Sequence, residues 1–243
     1  MKLHLTLVVL ALNNLFFAQS LYVKSETEME GVPAMVAKMS KGTTETWMKP
    51  GKTKTKTQLM TYTQTHYNTG EGVVILNTAD PKCVKISKHE LSEDSIINTV
   101  YTSEVVVKKT NETKNILGYP CTKTIVTYKA ANNERDGVKM SYEMTLWVST
   151  SLKSPNYSST GLECTKRNSL NAALQQVDGF VLRSETLVKE NNMKIIVDVK
   201  AISEKTIADV EFEPTVGACD KFLNLREFNA YLKKQNTKPT GWY

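Results

Sequence analysis

From Val138 to Val148 the chain alternates with a period of two. Val138, Met140, Tyr142, Met144, Leu146 and Val148 fall on one side, and Lys139, Ser141, Glu143 and Thr145 on the other, with Trp147 the exception. Only an extended strand sends successive side chains to opposite faces, so this segment is expected to be a strand whose apolar set shares one side of a sheet. The same pattern recurs where Met193, Ile195, Val197 and Val199 oppose Lys194, Asp198 and Lys200. Phe180–Lys189 precedes it as another strand, joined by a Glu190-Asn191-Asn192 turn, and residues 133–137 form a similar polar turn after a strand near Thr122–Tyr128. Further strands are expected at 21–30, 34–48, 53–66, 72–78, 82–87, 100–110 and 206–213. Such short connectors cannot make parallel crossovers, so the sheet is expected to be mainly antiparallel, with about ten or eleven strands. No Pro- or Ser-rich linker divides the chain, so residues 19–220 read as one mainly β domain built on a large curved sheet.

Two segments carry helical spacing instead. Lys166–Val177 places Leu170, Ala173, Leu174 and Val177 on one stripe, and Phe222–Lys233 does so with Leu225, Phe228, Tyr231 and Leu232. The second makes residues 221–243 a helical tail. Both stripes read as core packing, the alternative being a lid or plug over an apolar cavity.

Residues 1–18 read as a secretory signal peptide. Lys2 and His4 give a basic start, Leu5–Leu12 is apolar except for Thr6, and Ala18 places a small residue before Gln19. The run is short and broken by Asn13 and Asn14, which disfavours a membrane-spanning anchor. Removing Lys2 leaves 30 basic against 25 acidic residues, a modest excess. No aromatic-interleaved basic patch accompanies it, which argues against a nucleic-acid partner. Export also frames the four cysteines, Cys83, Cys121, Cys164 and Cys219. Their even number points to disulfides, and their wide spacing does not fit a zinc site. Three connectivities are open, with local order favouring Cys83–Cys121 and Cys164–Cys219; free buried thiols are the alternative.

The search for catalytic chemistry is negative. The chain lacks a Gly-x-Ser-x-Gly elbow, a His-Glu-x-x-His pair and a glycine-rich phosphate loop. Beyond the leader only His66 and His89 remain, and both read as surface histidines. Glu26/Glu28 and Glu211/Glu213 read as solvated strand edges, and Glu93-Asp94 lacks the further oxygen ligands of a calcium loop. No metal or cofactor is called for. Lys52, Lys54 and Lys56 alternate with Thr53, Thr55 and Thr57, which on a strand gives a lysine face and a threonine ladder. The lysines read as a solvated edge, or as a dock for an acidic partner. Met29, Met35, Met39, Met48, Met60, Met140, Met144 and Met193 all fall in expected strands. Thioether side chains adapt to varied apolar shapes, so these residues fill a core or line an apolar site.

Several short motifs resemble exported bacterial domains of unknown function in the LolA-like (lipoprotein-localisation factor-like) superfamily. They are Glu28-Met29-Glu30-Gly31, Trp47-Met48-Lys49-Pro50-Gly51, Ile116-Leu117-Gly118-Tyr119-Pro120-Cys121, and the strand from Tyr142 into Trp147-Val148-Ser149-Thr150-Ser151-Leu152. The resemblance runs from about residue 22 to 213. It implies a strongly curved antiparallel sheet, a half-barrel closed by helices, whose apolar interior in the lipoprotein carrier holds acyl chains.

Together these readings give a non-enzymatic periplasmic or secreted protein that binds a lipid or other apolar ligand on an apolar face including Met140, Tyr142, Met144 and Leu146. The alternative is a structural or interaction module contacting an envelope protein. A lipocalin-like carrier ranks lower, because Trp47 follows Glu45-Thr46 and lacks the early glycine of that family.

Overall fold

The computed structural model describes residues 20–77, 80–87, 90, 101–131, 140–152, 169–174, 176–214, 221–224, 226–228 and 230. Twelve strands form one sheet among the described residues: β1 Leu21–Glu30, β2 Gly42–Lys49, β3 Lys52–Gln58, β4 Thr63–Asn68, β5 Gly72–Asn77, β6 Asp80–Ser87, β7 Tyr101–Ile116, β8 Tyr119–Ala131, β9 Met140–Ser149, β10 Phe180–Val188, β11 Met193–Glu204 and β12 Lys221–Leu223. Their order is β12-β6-β5-β4-β3-β2-β1-β11-β10-β9-β8-β7. From β1 to β6 and from β7 to β11 each strand pairs with its sequence neighbour, and the pairing of β1 with β11 joins the two halves. The expectation of one large, curved, mainly antiparallel sheet holds. The parallel addition of β12 to β6 is the exception.

Four local readings change. Residues 34–40 are not strand but a helix, α1 (Ala34–Ser40). Pro33, with φ −54°, starts it, and Ala-Met-Val-Ala-Lys-Met contains mostly good helix formers. The Ser40 hydroxyl donates to the Val36 carbonyl at 2.8 Å in the last turn. Met35 and Met39 are therefore helical, and Met60 lies in a turn. That turn splits the expected strand 53–66 into β3 and β4, closed by the Leu59 N–H donating to the Tyr62 carbonyl at 3.0 Å. Leu59-Met60-Thr61-Tyr62 carries none of the usual turn residues, which hides it from pattern reading. Asp209–Phe212 is a 3-10 turn rather than strand. The helix expected from Phe222 begins later, because Lys221–Leu223 extends the sheet.

Elsewhere the turns follow their chemistry. At 189–192 the Asn191 side chain accepts the Met193 N–H at 3.1 Å, and Asn192 takes a positive φ of 56°. The second helix, α2 (Ser169–Leu174), falls inside the expected 166–177 segment. Leu170, Leu174 and the following Val177 pack on Val126, Leu146 and Val148 of β8 and β9. A second core at the end where β1 begins joins Leu21, Val23, Met48, Leu152, Phe180 and Leu182. A third lies on β6, where Val84 and Ile86 meet Ile75 and Phe228.

Cys121 is a buried free thiol, so the expected Cys83–Cys121 pairing does not form. Burial raises its pKa above the ordinary thiol value. The expected signal peptide 1–18 and the expected turn 133–137, with His89, Glu93-Asp94, Cys164 and Cys219, lie outside the described residues. Among the described residues no helix is long and apolar enough to cross a membrane.

Gly179 feeds the chain into β10 with φ +117°, and a Cβ there would sit 2.5 Å from the Ser149 carbonyl oxygen. Gly51, in the β2–β3 turn, has φ +75° and open space around the equivalent position. Gly179→Ala is expected to cost about 2–3 kcal/mol, while Gly51→Asn stays within about 1 kcal/mol. Urea unfolding of both variants checks this contrast.

Candidate functional site

Register assigns every strand residue to one of two faces, because directly paired residues point the same way. The helices cover one face: α2 lies over Val126, Leu146 and Val148, and Phe228 meets Ile75, Val84 and Ile86. On this covered face, one row crosses five strands as Met29–Ile195–Thr186–Met144–Val126. The next row outward is Met193–Val188–Tyr142–Tyr128, and Met140 pairs with Ala130 beyond it. Met29, Met144, Tyr142, Met193 and Ile195 are each half-buried.

The four residues singled out from the alternation thus share this face but not one environment. Leu146 is core, 3% exposed beneath α2. Met144 packs at the edge of that cluster. Tyr142 stacks on Tyr128 with ring centroids 4.8 Å apart and planes within 4°. Its hydroxyl points at the Met140 sulfur, 3.8 Å away. Burial, with Tyr142 beside it, pushes the Tyr128 hydroxyl up to about 12, so this phenol stays neutral at physiological pH. Met29, Met193 and Ile195 belong to the same patch although no single segment links them. Their membership follows from the β1–β11 pairing, a long-range fact that one-strand patterning cannot supply.

Across β2–β4 the covered face changes character. Its rows there read Ser25–Thr44–Thr57–Gln64 and Val23–Thr46–Thr55–His66–Ile75. The Thr44 and Thr57 hydroxyls are hydrogen-bonded at 3.2 Å. The threonine ladder read from residues 53–57 therefore turns inward beside the apolar patch, and His66 stands in it rather than on an outer surface. Burial lowers the His66 pKa below its ordinary value.

The opposite face is charged. Arg183 donates to Glu185 at 2.8 Å and to Asp198 at 2.7 Å across β10 and β11. Two lysines of the ladder are paired: Lys52, with Lys49 beside it, meets Asp209, and Lys54 pairs with Glu211 at 3.2 Å. Lys54 also lies over the Trp47 and Tyr67 rings, 5.0 and 5.5 Å from their centroids. Those contacts hold the Asp209–Phe212 turn against the sheet and bury Phe212. Tyr22 on the same face donates to Glu45 at 2.5 Å, and this bond, with burial, pushes its hydroxyl up to about 12.

An open twelve-stranded sheet with helices on one face and a half-buried apolar patch beside a threonine ladder defines a mainly β, antiparallel-sheet class of domain. The chain belongs to the family described as Domain of unknown function (DUF4412), whose model matches residues 21–217. This agrees with the resemblance carried by the short motifs. Among solved structures the chain is similar to PNGF-II, at 15% identity and a TM-score of 0.47, over 89% of this chain and 33% of that one. It therefore spans about a third of PNGF-II. It is also similar to lipoprotein LppX of Mycobacterium tuberculosis, at 13% identity and TM-score 0.37, over 84% of this chain and 97% of that one. A LolA superfamily protein from Nitrosomonas europaea aligns at 7% identity and TM-score 0.31, over 81% and 90% of the two chains. No curated protein matches the chain.

His66 gives a pH prediction. Its folded pKa lies below the unfolded value, so the unfolded state binds the proton more tightly. The resulting penalty is absent above the unfolded pKa and grows as pH falls from about 6.5 through the lowered folded value. Thermal melts between pH 7.5 and 5 should show a loss of stability that is smaller in His66→Gln.

Proposed function

We propose that this protein is an exported, non-enzymatic binder of a lipid or other apolar ligand, held on the covered face around Met29, Tyr142, Met144, Met193 and Ile195. The observation that carries this reading is the half-burial of Met29, Ile195 and Met144 in one row and of Met193, Tyr142 and Tyr128 in the next, on the side the helices cover. Ordinary core positions are closed over, as Leu146 is beneath α2. The patch residues instead keep one side reachable, and methionine and tyrosine supply adaptable and flat apolar surface to a ligand of variable shape.

Native mass spectrometry after gentle extraction tests this directly, with retained acyl mass expected and a clean apo mass counting against it. Leu146→Ala is expected to cost about 2–5 kcal/mol as a core truncation. Met144→Ala should cost less and should weaken uptake of a fluorescent fatty acid. Strong destabilisation by both variants, with no probe bound by the parent protein, removes the ligand reading.

A second reading is an interaction module for an envelope protein. The hydroxyl- and amide-bearing sector of Thr44, Thr46, Thr55, Thr57, Gln64 and His66 favours it, since these groups match a polar partner better than an acyl chain. The apo outcome above points here.

Export goes with one disulfide in this proposal. Cys83 is disulfide-bonded and Cys121 is a free thiol. Alkylation of the denatured, unreduced protein should label two thiols, and all four only after reduction.

A further inference from the structure

The strand directions bring one set of connections to one end of the sheet. β1 ends at Glu30, β2 starts at Gly42, β3 ends at Gln58, β4 starts at Thr63, and the β10–β11 turn lies beside them through the Glu30–Lys194 pairing. The ends of β8 and start of β9 fall there too, through the Ala130–Met140 pairing. Six methionines collect at this end: Met29, Met35, Met39, Met60, Met140 and Met193.

Two of its connections protrude. Helix α1 buries none of its residues, and Met35, Val36 and Met39 are 76%, 43% and 48% exposed. Met35 and Met39 are four apart, so they project from one side of the helix. The β3–β4 turn carries Met60 at 57% exposure. The turn lies against the exit of α1, because the Leu59 side chain sits directly over Gly42. Burying such side chains in protein is the common fate of large apolar residues, and clustered exposure marks a surface awaiting a partner.

Charge selects the partner. From Gly31 to Lys41 the only ionisable side chains are Lys38 and Lys41, and Leu59-Met60-Thr61-Tyr62 adds no carboxylate. At the same end Glu30 is paired with Lys194 at 3.7 Å and Glu190 accepts the Ser141 N–H at 2.7 Å, so the two protruding elements themselves set exposed apolar groups beside lysine alone. That combination matches an anionic lipid surface, where the apolar groups enter the headgroup boundary and the ammonium groups meet phosphate. We propose that α1 and the Leu59–Tyr62 turn dock this end of the sheet on an anionic bilayer. The proposal rests on the ligand reading above and deepens it: the docked end is the one at which the apolar rows of Met29 and Met193 open, so an acyl chain passes between bilayer and sheet over a dry edge.

Co-sedimentation of the mature protein with phosphatidylcholine vesicles, with and without phosphatidylglycerol, tests this. Binding is expected only to the anionic vesicles and is expected to weaken with salt. The double variant Met35→Ser/Met39→Ser should lower vesicle affinity about tenfold, and Lys38→Gln/Lys41→Gln should abolish the preference for anionic lipid. Leu117→Ser/Val210→Ser, which removes exposed apolar groups at the opposite end, should leave binding unchanged. No binding by the parent protein, equal loss in the opposite-end variant, or a concentration-dependent dimer that the methionine variant disrupts would each overturn the proposal, the last assigning the surface to a second copy. Fatty-acid uptake in free solution is measured alongside. Uptake without vesicle binding rejects the docking surface alone, and vesicle binding without uptake rejects the ligand site.

Discussion

Backbone pairing between β1 and β11 is the interaction on which everything else rests. One hairpin series runs from β1 to β6 and the other from β7 to β11, and this ladder fuses them into a single sheet. It also sets parity. A slip of one residue would turn Met29 and Thr27 to the charged side and set Glu28 and Glu30 against Ile195 and Val197. The bulge between Lys24 and Ser25 preserves that parity on both sides of the extra residue in β11, keeping Val199 and Ile202 on the covered face.

The division of labour between faces follows. The covered face holds the apolar rows and the threonine ladder, while ion pairs and cation–aromatic contacts occupy the other. These ion pairs are partly exposed and individually worth little. What they do is positional: Lys49, Lys52 and Lys54 fix the Asp209–Phe212 turn, which seals Phe212 against the sheet. Lys52 and Lys54 of the lysine run thus serve the fold.

Sheet architecture was legible because alternation is a local signal that the sheet repeats. Val138–Val148 and Met193–Val199 declared their faces, and Asn191-Asn192 declared their turn. What stayed hidden depended on contacts distant in sequence or on weak local signals. Residues 34–40 carry methionine and valine that suit strand or helix alike, and Pro33 decides the matter. Leu59–Tyr62 turns without turn residues because the flanking strands are held by their neighbours. The patch itself was half visible: Met140, Tyr142 and Met144 came from one strand, whereas Met29 and Ile195 needed the β1–β11 register. Leu146 carried the same pattern as Met144, and only the position of α2 separates core from patch.

An open sheet this wide has a mechanical consequence. Twelve strands at about 4.8 Å spacing make an arc of roughly 50 Å, wider than twisted sheets usually reach without curling. The two boundary strands, β12 and β7, are not paired to each other. A closed barrel must break hydrogen bonds to change its bore, but this arc can deepen or flatten by sharing a small change of twist among eleven ladders. Its cross-section is therefore compliant: the depth of the arc can change while its backbone bonding stays intact.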